Sequence, residues 1–206
     1  TSFTVSLAVT PTGGTQTILV DFGDVAQTTP GNYNNITHTQ DPVPNAIDDG
    51  GLPTGISITV TDSFWPGSNQ NGTLSPTGDA ATNFDVQATR DNLFGNTVIF
   101  GGFTEPTGAV TLAGLSTAPG VSYTFTFFAA RLGVGDNRET AYDVAGGNSG
   151  VGYLNAANNQ SEVVTVANIT ADTNGEIVVS VSPGPNNNNA SGFYYIGAMK
   201  IERNDP

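Results

Sequence analysis

Residues 121–130 read VSYTFTFFAA. Val121, Tyr123, Phe125 and Phe127 alternate with Ser122, Thr124 and Thr126, the period-two pattern of a β-strand with one apolar face. The run then turns apolar on both faces from Phe127 to Ala130, as expected of a strand near the middle of a sandwich. No helix of period 3.6 would place these rings on one side.

The same alternation recurs outward in both directions. Toward the N-terminus it appears in residues 109–115, 96–100, 55–61 (Ile56, Ile58 and Val60 on one side), 17–22 and 1–10 (Phe3, Val5, Leu7 and Val9). Toward the C-terminus it returns in residues 162–166, 176–182 and 193–201. Turn-forming pairs punctuate these runs: Asn71-Gly72, Gly101-Gly102, Gly146-Gly147 and Asn174-Gly175. Only residues 79–93 suit a helical turn, with Asp79 or Thr82 as its cap. No fixed-period repeat and no linker divides the chain, so one all-β domain spanning residues 1–206 is predicted. The polar stretch 25–53 exceeds ordinary loop length and is expected to be functional or partly structured.

Composition agrees. Charged residues make up 11% of the 206-residue chain and apolar residues 37%, leaving Thr, Ser, Asn and Gly to fill strand faces and turns. Five basic residues against eighteen acidic ones give a net charge of −13. That balance lacks the basic footprint of a nucleic-acid-binding surface and repels dense polyanions, while divalent cations such as Ca2+ would be attracted. The absence of cysteine removes disulfides, thiolate metal sites and thiol nucleophiles together. No apolar run is long enough to span a membrane. The chain opens on Thr rather than Met, and it is expected to be a mature or excised piece of a longer secreted precursor, acting outside the cell or at its surface.

Four segments together carry a family resemblance: ILVDFGD (18–24), GNYNNIT (31–37), SYTFTFFAARLGVGDNRET (122–140) and GFYYIGAMKIE (192–202). The set resembles bacterial secreted domains with a galactose-binding-like jelly roll, found in polysaccharide-degrading proteins and in surface proteins with C-terminal sorting signals. The resemblance implies an antiparallel β-sandwich that binds glycans as a carbohydrate-binding module, often with a structural calcium. Fold alone does not settle function.

Individual residues sharpen that expectation. Trp65, the sole tryptophan, follows a strand and precedes the turn 66–69. Its indole either stacks on a sugar ring at a loop edge or packs the sandwich core. Tyr33, Asn34 and Asn35 place an aromatic among amides that can pair with sugar hydroxyls, or that simply form Asx turns, the preferred reading. Arg131 and Arg138, with Asp136 and Glu139, gather scarce charge just after the most apolar strand. They either line a polar ligand pocket or tie loops together through acids such as Asp21 or Asp143, the preferred role. Asp24, Asp48, Asp49 and Asp62 (with Asp41 nearby) are the candidate calcium ligands, although no EF-hand spacing is present.

Catalysis finds little footing. A single histidine, His38, and no G-x-S-x-G elbow leave no nucleophile machinery. Nothing singles out a glycosidase pair among the eighteen acids. The expectation is therefore a non-catalytic, carbohydrate-binding module. The alternative is a self-assembling filament or surface-layer subunit whose first strand (1–10) pairs with a neighbour's sheet edge.

Overall fold

The computed structural model describes residues 16–206. The first strand expected from the sequence, and the edge pairing built on it, lie outside them.

Strand alternation sorts the side chains into a two-sheet jelly-roll sandwich. The strands are β1 (Thr17–Gly23), β2 (Tyr33–Thr37), β3 (Ser57–Asp62), β4 (Leu93–Phe100), β5 (Phe103–Glu105), β6 (Gly108–Ala113) and β7 (Ser122–Phe128). They continue as β8 (Glu139–Ala145), β9 (Ser149–Asn155), β10 (Val164–Ile169), β11 (Glu176–Pro183), β12 (Tyr194–Ile196) and β13 (Ala198–Asn204). One sheet runs β10-β7-β13-β1-β2 and the facing one β3-β6-β11-β8-β9. A third, of order β12-β4-β5, forms a short three-stranded patch.

The sheets meet through Val20, Phe22, Phe125, Phe127 and Met199 on one side and Ile58, Leu112, Tyr142, Val179 and Val181 on the other, all buried in one cluster. Phe127 stacks on Tyr142 at 4.4 Å and 10°, and the Tyr142 hydroxyl donates to the Tyr195 carbonyl at 2.8 Å. The polar end of the ring is thus satisfied inside the core.

Several sequence expectations change in detail. The helix is one turn and a half, α1 (Gly78–Asn83), not 79–93, and its N-cap is Thr77, whose side chain makes no capping bond. Residues beyond it turn back because Leu93 already belongs to β4. The expected strand 193–201 breaks at Gly197 into β12 and β13, which join different sheets. The pairing is antiparallel except between β1 and β2, which run parallel. β2 also supplies structure to the polar stretch 25–53, where Asn34 takes a buried position.

Candidate functional site: an aromatic cleft at the short sheet

The cleft begins with a cross-strand pair. β12 and β4 run antiparallel with Tyr195 opposite Phe94, Ile196 opposite Leu93 and Tyr194 opposite Gly95. Because side chains alternate, Leu93, Tyr194 and Ile196 enter the main core, while Phe94 and Tyr195 turn to the opposite face and pack together there. Their rings lie 6.2 Å apart. The same alternation operates just past β3: Phe64 is buried in the core, so its neighbour Trp65 joins the Phe94 side.

Trp65 stacks on Phe94 at 4.9 Å, and its indole N–H donates to the Phe100 carbonyl at 3.0 Å. Phe100 itself is 5.7 Å from the indole and 5.0 Å from Phe193, edge to face with the latter. The β4–β5 hairpin that carries Phe100 turns at Gly101 and Gly102, with φ of 59° and 90°. Two successive left-handed residues make the tight turn that matches strand twist, which L side chains resist. Val98, Ile99, Phe100 and Phe103 stand exposed along this hairpin.

These rings enclose a cleft of about 470 Å³, within the range of small-molecule sites. Phe94 and Tyr195 form its floor, and Trp65, Phe100 and Phe193 its apolar walls. The remaining rim is polar: Ser68, Asn69, Gln70 and Asn71 on one side, Arg131 and Arg138 on the other.

The polar rim is held from behind. The Asp24 carboxylate accepts from the Ser68 hydroxyl at 2.7 Å and the Gln70 amide at 2.9 Å. Hydrogen bonds from Ala26 N–H and from Ser68 hold its carboxyl below the usual carboxylate range. Arg138 donates from Nε to Asp136 at 3.0 Å and from Nη1 to the Tyr195 hydroxyl at 2.5 Å. Its guanidinium also sits over the rings of Phe193, at 5.4 Å, and Tyr195, at 6.0 Å. Arg138 and then Asn189 hold the Asp136 carboxyl down. Burial pushes the Tyr195 phenol up, so it stays a neutral hydroxyl.

Of the residues singled out in the sequence, Trp65 and Arg138 line the cleft, and Asp136 adjoins it as the partner of Arg138. Arg138 does not reach Asp21 or Asp143; its carboxylate partner is Asp136 two residues away. Tyr33, Asn34 and Asn35 do not line the cleft. The Tyr33 hydroxyl accepts the Asp85 N–H at 2.9 Å, and its ring packs against the cluster containing Phe84 and Phe128. The Asn34 amide bridges the Leu19 and Ile47 backbones, and Asn35 pins Thr29 through both its amide atoms. Asn34 ties the polar stretch to β1, Asn35 braces it internally, and Tyr33 ties it to the segment after α1.

The aspartates nominated for calcium are scattered. Asp48 caps the turn to Gly50 and Leu52, and Asp49 is exposed beside it. Asp62 accepts from Thr107, and Asp24 is engaged with the rim. Among the described residues no three histidine, aspartate or glutamate side chains gather as metal ligands. The four nominated carboxylates therefore do not come together as one cluster.

A different acidic pair escaped sequence analysis. Asp21 and Asp91 are 2% and 0% exposed, and one oxygen of each accepts no hydrogen bond. Burial raises Asp21 to about 6 and Asp91 to about 7. Asp91 accepts the Asp24 N–H at 2.5 Å and so abuts the residue that holds the rim. The aromatic floor was missed as well, although the run Phe193-Tyr194-Tyr195 was visible; only the pairing with β4 reveals which rings face outward.

No family model matches the chain, and no curated protein matches it. Solved structures offer partial likenesses. The carbohydrate-binding module TmCBM61 in complex with β-1,4-galactotriose is 13% identical over 71% of this chain and 82% of its own, with a TM-score of 0.35. The CBM35 module of Abf62 from Cellvibrio japonicus is 15% identical over 71% of this chain and 91% of its own, at a TM-score of 0.36. Xyl-CBM35, solved with a glucuronic-acid-containing disaccharide, is 16% identical over 70% of this chain and 91% of its own, at 0.32. Similarity of this strength fixes neither a family nor a ligand for the chain.

Proposed function

We propose that this chain is a non-catalytic carbohydrate-binding domain and that the cleft at the short sheet is its binding site. One observation carries the reading. Five aromatic rings form the floor and walls of a cavity of about 470 Å³, with amides, a hydroxyl and two guanidinium groups at the rim. Sugars present that same duality: apolar C–H faces that stack on rings, and hydroxyls that need both donors and acceptors. Asn69, Gln70 and Asn71 each offer donor and acceptor in one side chain.

The lining argues for binding rather than hydrolysis. No carboxylate lines the cleft, whereas glycoside cleavage calls on a pair of them. His38 lies 3.7 Å from the Asp24 carboxylate and does not line the cleft.

The test is direct because Trp65 is the single tryptophan. Titrating a broad panel of oligosaccharides should shift its fluorescence and raise the melting temperature for those that bind. If no glycan in such a panel moves either signal, the reading is wrong.

A further inference from the structure

We infer, resting on the glycan reading above, that the ligand is an oligosaccharide bearing an isolated carboxylate, as a uronic acid does, and that Arg131 receives it.

Positive charge is scarce in this molecule and unevenly placed. The chain has only five basic residues, and two of them, Arg131 and Arg138, line this cleft. Lys200 and Arg203 are paired with Glu202 and Asp205. Arg90 lies in the field of Asp21 and Asp91, and Arg138 is neutralised by Asp136. Arg131 takes part in none of the ion pairs among the described residues. In a chain with eighteen acids, a half-buried guanidinium without a carboxylate partner is conspicuous.

Its backbone is fixed on both sides. Arg131 N–H donates to the Ala156 carbonyl at 2.7 Å, and its own carbonyl accepts from Asn158 at 2.9 Å. The next residue, Leu132, donates to the Asn71 carbonyl on the amide rim at 2.7 Å. The side chain spends one N–H on the Leu132 carbonyl. A guanidinium has five N–H donors, so a planar fork remains for a ligand, and its geometry matches a carboxylate. The rest of the lining has no acid to compete for it.

Net charge sets the density of the ligand's charge. At −13 the protein repels a polyanion at long range, and two guanidinium groups do not offset that field. A single carboxylate on an otherwise neutral chain meets the local cation while adding little long-range repulsion. The chemistry therefore points to a sparsely charged glycan rather than a polyuronate.

The test uses oligosaccharides ending in glucuronic, galacturonic or mannuronic acid, each paired with its carboxyl-reduced, neutral counterpart. Calorimetric titration of the wild-type protein should show at least one acid bound about tenfold more tightly than its reduced form. Arg131→Gln should bring the two to equal affinity while the reduced sugar binds as before, which also shows the variant is folded. Arg131→Lys should recover part of the preference. Polygalacturonate should bind more weakly than the singly charged oligosaccharide, and the gap should narrow as salt is added. Equal affinity of wild-type protein for every acid and its reduced form overturns this inference and leaves glycan binding standing. So does a preference that survives in Arg131→Gln, or a polyuronate that binds best at low salt. Binding of neither form in any pair also overturns this inference, and the broad oligosaccharide panel then decides whether glycan binding stands.

Discussion

The indole of Trp65 lies over the ring of Phe94, centroid to centroid 4.9 Å and 24° from parallel. Phe94 belongs to β4 and is nearly fully buried, so Trp65 is a partly exposed plate resting on a fixed one. Truncating it removes a cleft wall and uncovers Phe94 and Phe103, the latter 6.1 Å from the indole. Trp65→Ala should abolish detectable glycan binding and lower stability by about 1–3 kcal/mol, less than for a core aromatic because the ring is only half buried. Calorimetric binding and a denaturant melt check both; unchanged affinity would place the binding surface elsewhere.

Two glycines frame that plate. A Cβ on Gly67 would stand 2.4 Å from Trp65 Cζ3, and one on Gly101 2.9 Å from Trp65 Cζ2. Neither contact is tolerable without displacing the indole. Gly67 has no left-handed backbone to lose, so it is the cleaner probe. Gly67→Ala should weaken glycan binding by at least about tenfold and shift tryptophan emission in the free protein, with the sheet core unaffected. A variant with wild-type emission and affinity would show that the indole is not held by this contact.

Tyr33 and Asn34 test the opposite expectation, that their aromatic-amide cluster is a brace. Asn34 donates to the Leu19 and Ile47 carbonyls and accepts the Ile47 N–H from a position 6% exposed. Asn34→Ala leaves those backbone groups without partners and should cost about 1–3 kcal/mol. Tyr33→Phe should cost about 1 kcal/mol by stripping the Asp85 N–H of its acceptor. Both proteins, once folded, should bind glycan like the wild type. Loss of affinity at wild-type stability would return these residues to a ligand site.

How far the sequence could be read follows from which face each residue type occupies. Residues 121–130 announce β7 because their rings and their polar groups separate cleanly, and that alternation is enough to deduce a sandwich. β9 hides because its pattern is inverted. Val151 and Tyr153 are exposed, while Gly152 turns inward against Val164 and Val166 and Leu154 completes the buried face. A strand whose inward face carries glycine has no apolar signal to find. β2 hides for a related reason: one of its two buried positions is Asn34, kept there by backbone hydrogen bonds rather than by hydrophobicity, and only Ile36 is apolar. At the cleft, Trp65 and Arg138 could be named from rarity alone. Phe94 and Tyr195 could not, since their shared face depends on which strand lies beside which, a long-range pairing that local pattern does not encode.

The buried acids Asp21 and Asp91 set how stability responds to pH. Burial raises them from an ordinary 3.8 to about 6 and about 7, with Arg90 offsetting only part of the cost. A carboxyl raised in the folded state favours folding while protonated. Its contribution is complete below the unfolded value near 3.8 and is lost as pH climbs through 6 and 7. Asp24 and Asp136 behave in the opposite sense, because hydrogen bonds lower them; what they contribute is kept above 3.8 and lost on further acidification. The two trends place the stability maximum at about pH 4–6. A tenfold change in a carboxyl's proton affinity on folding is worth about 1.4 kcal/mol, and a chain of this length gains roughly 2–4 °C per kcal/mol. The melting temperature should therefore rise by roughly 8–16 °C between pH 8 and pH 5. Asp91→Asn keeps an acceptor for the Asp24 N–H and removes the buried charge. It should raise the melting temperature at pH 8 and flatten the slope, while leaving the pH 5 value close to wild type. A wild-type melting temperature that is level or falls from pH 8 to pH 5 would mean that these carboxylates are compensated by a partner in solution.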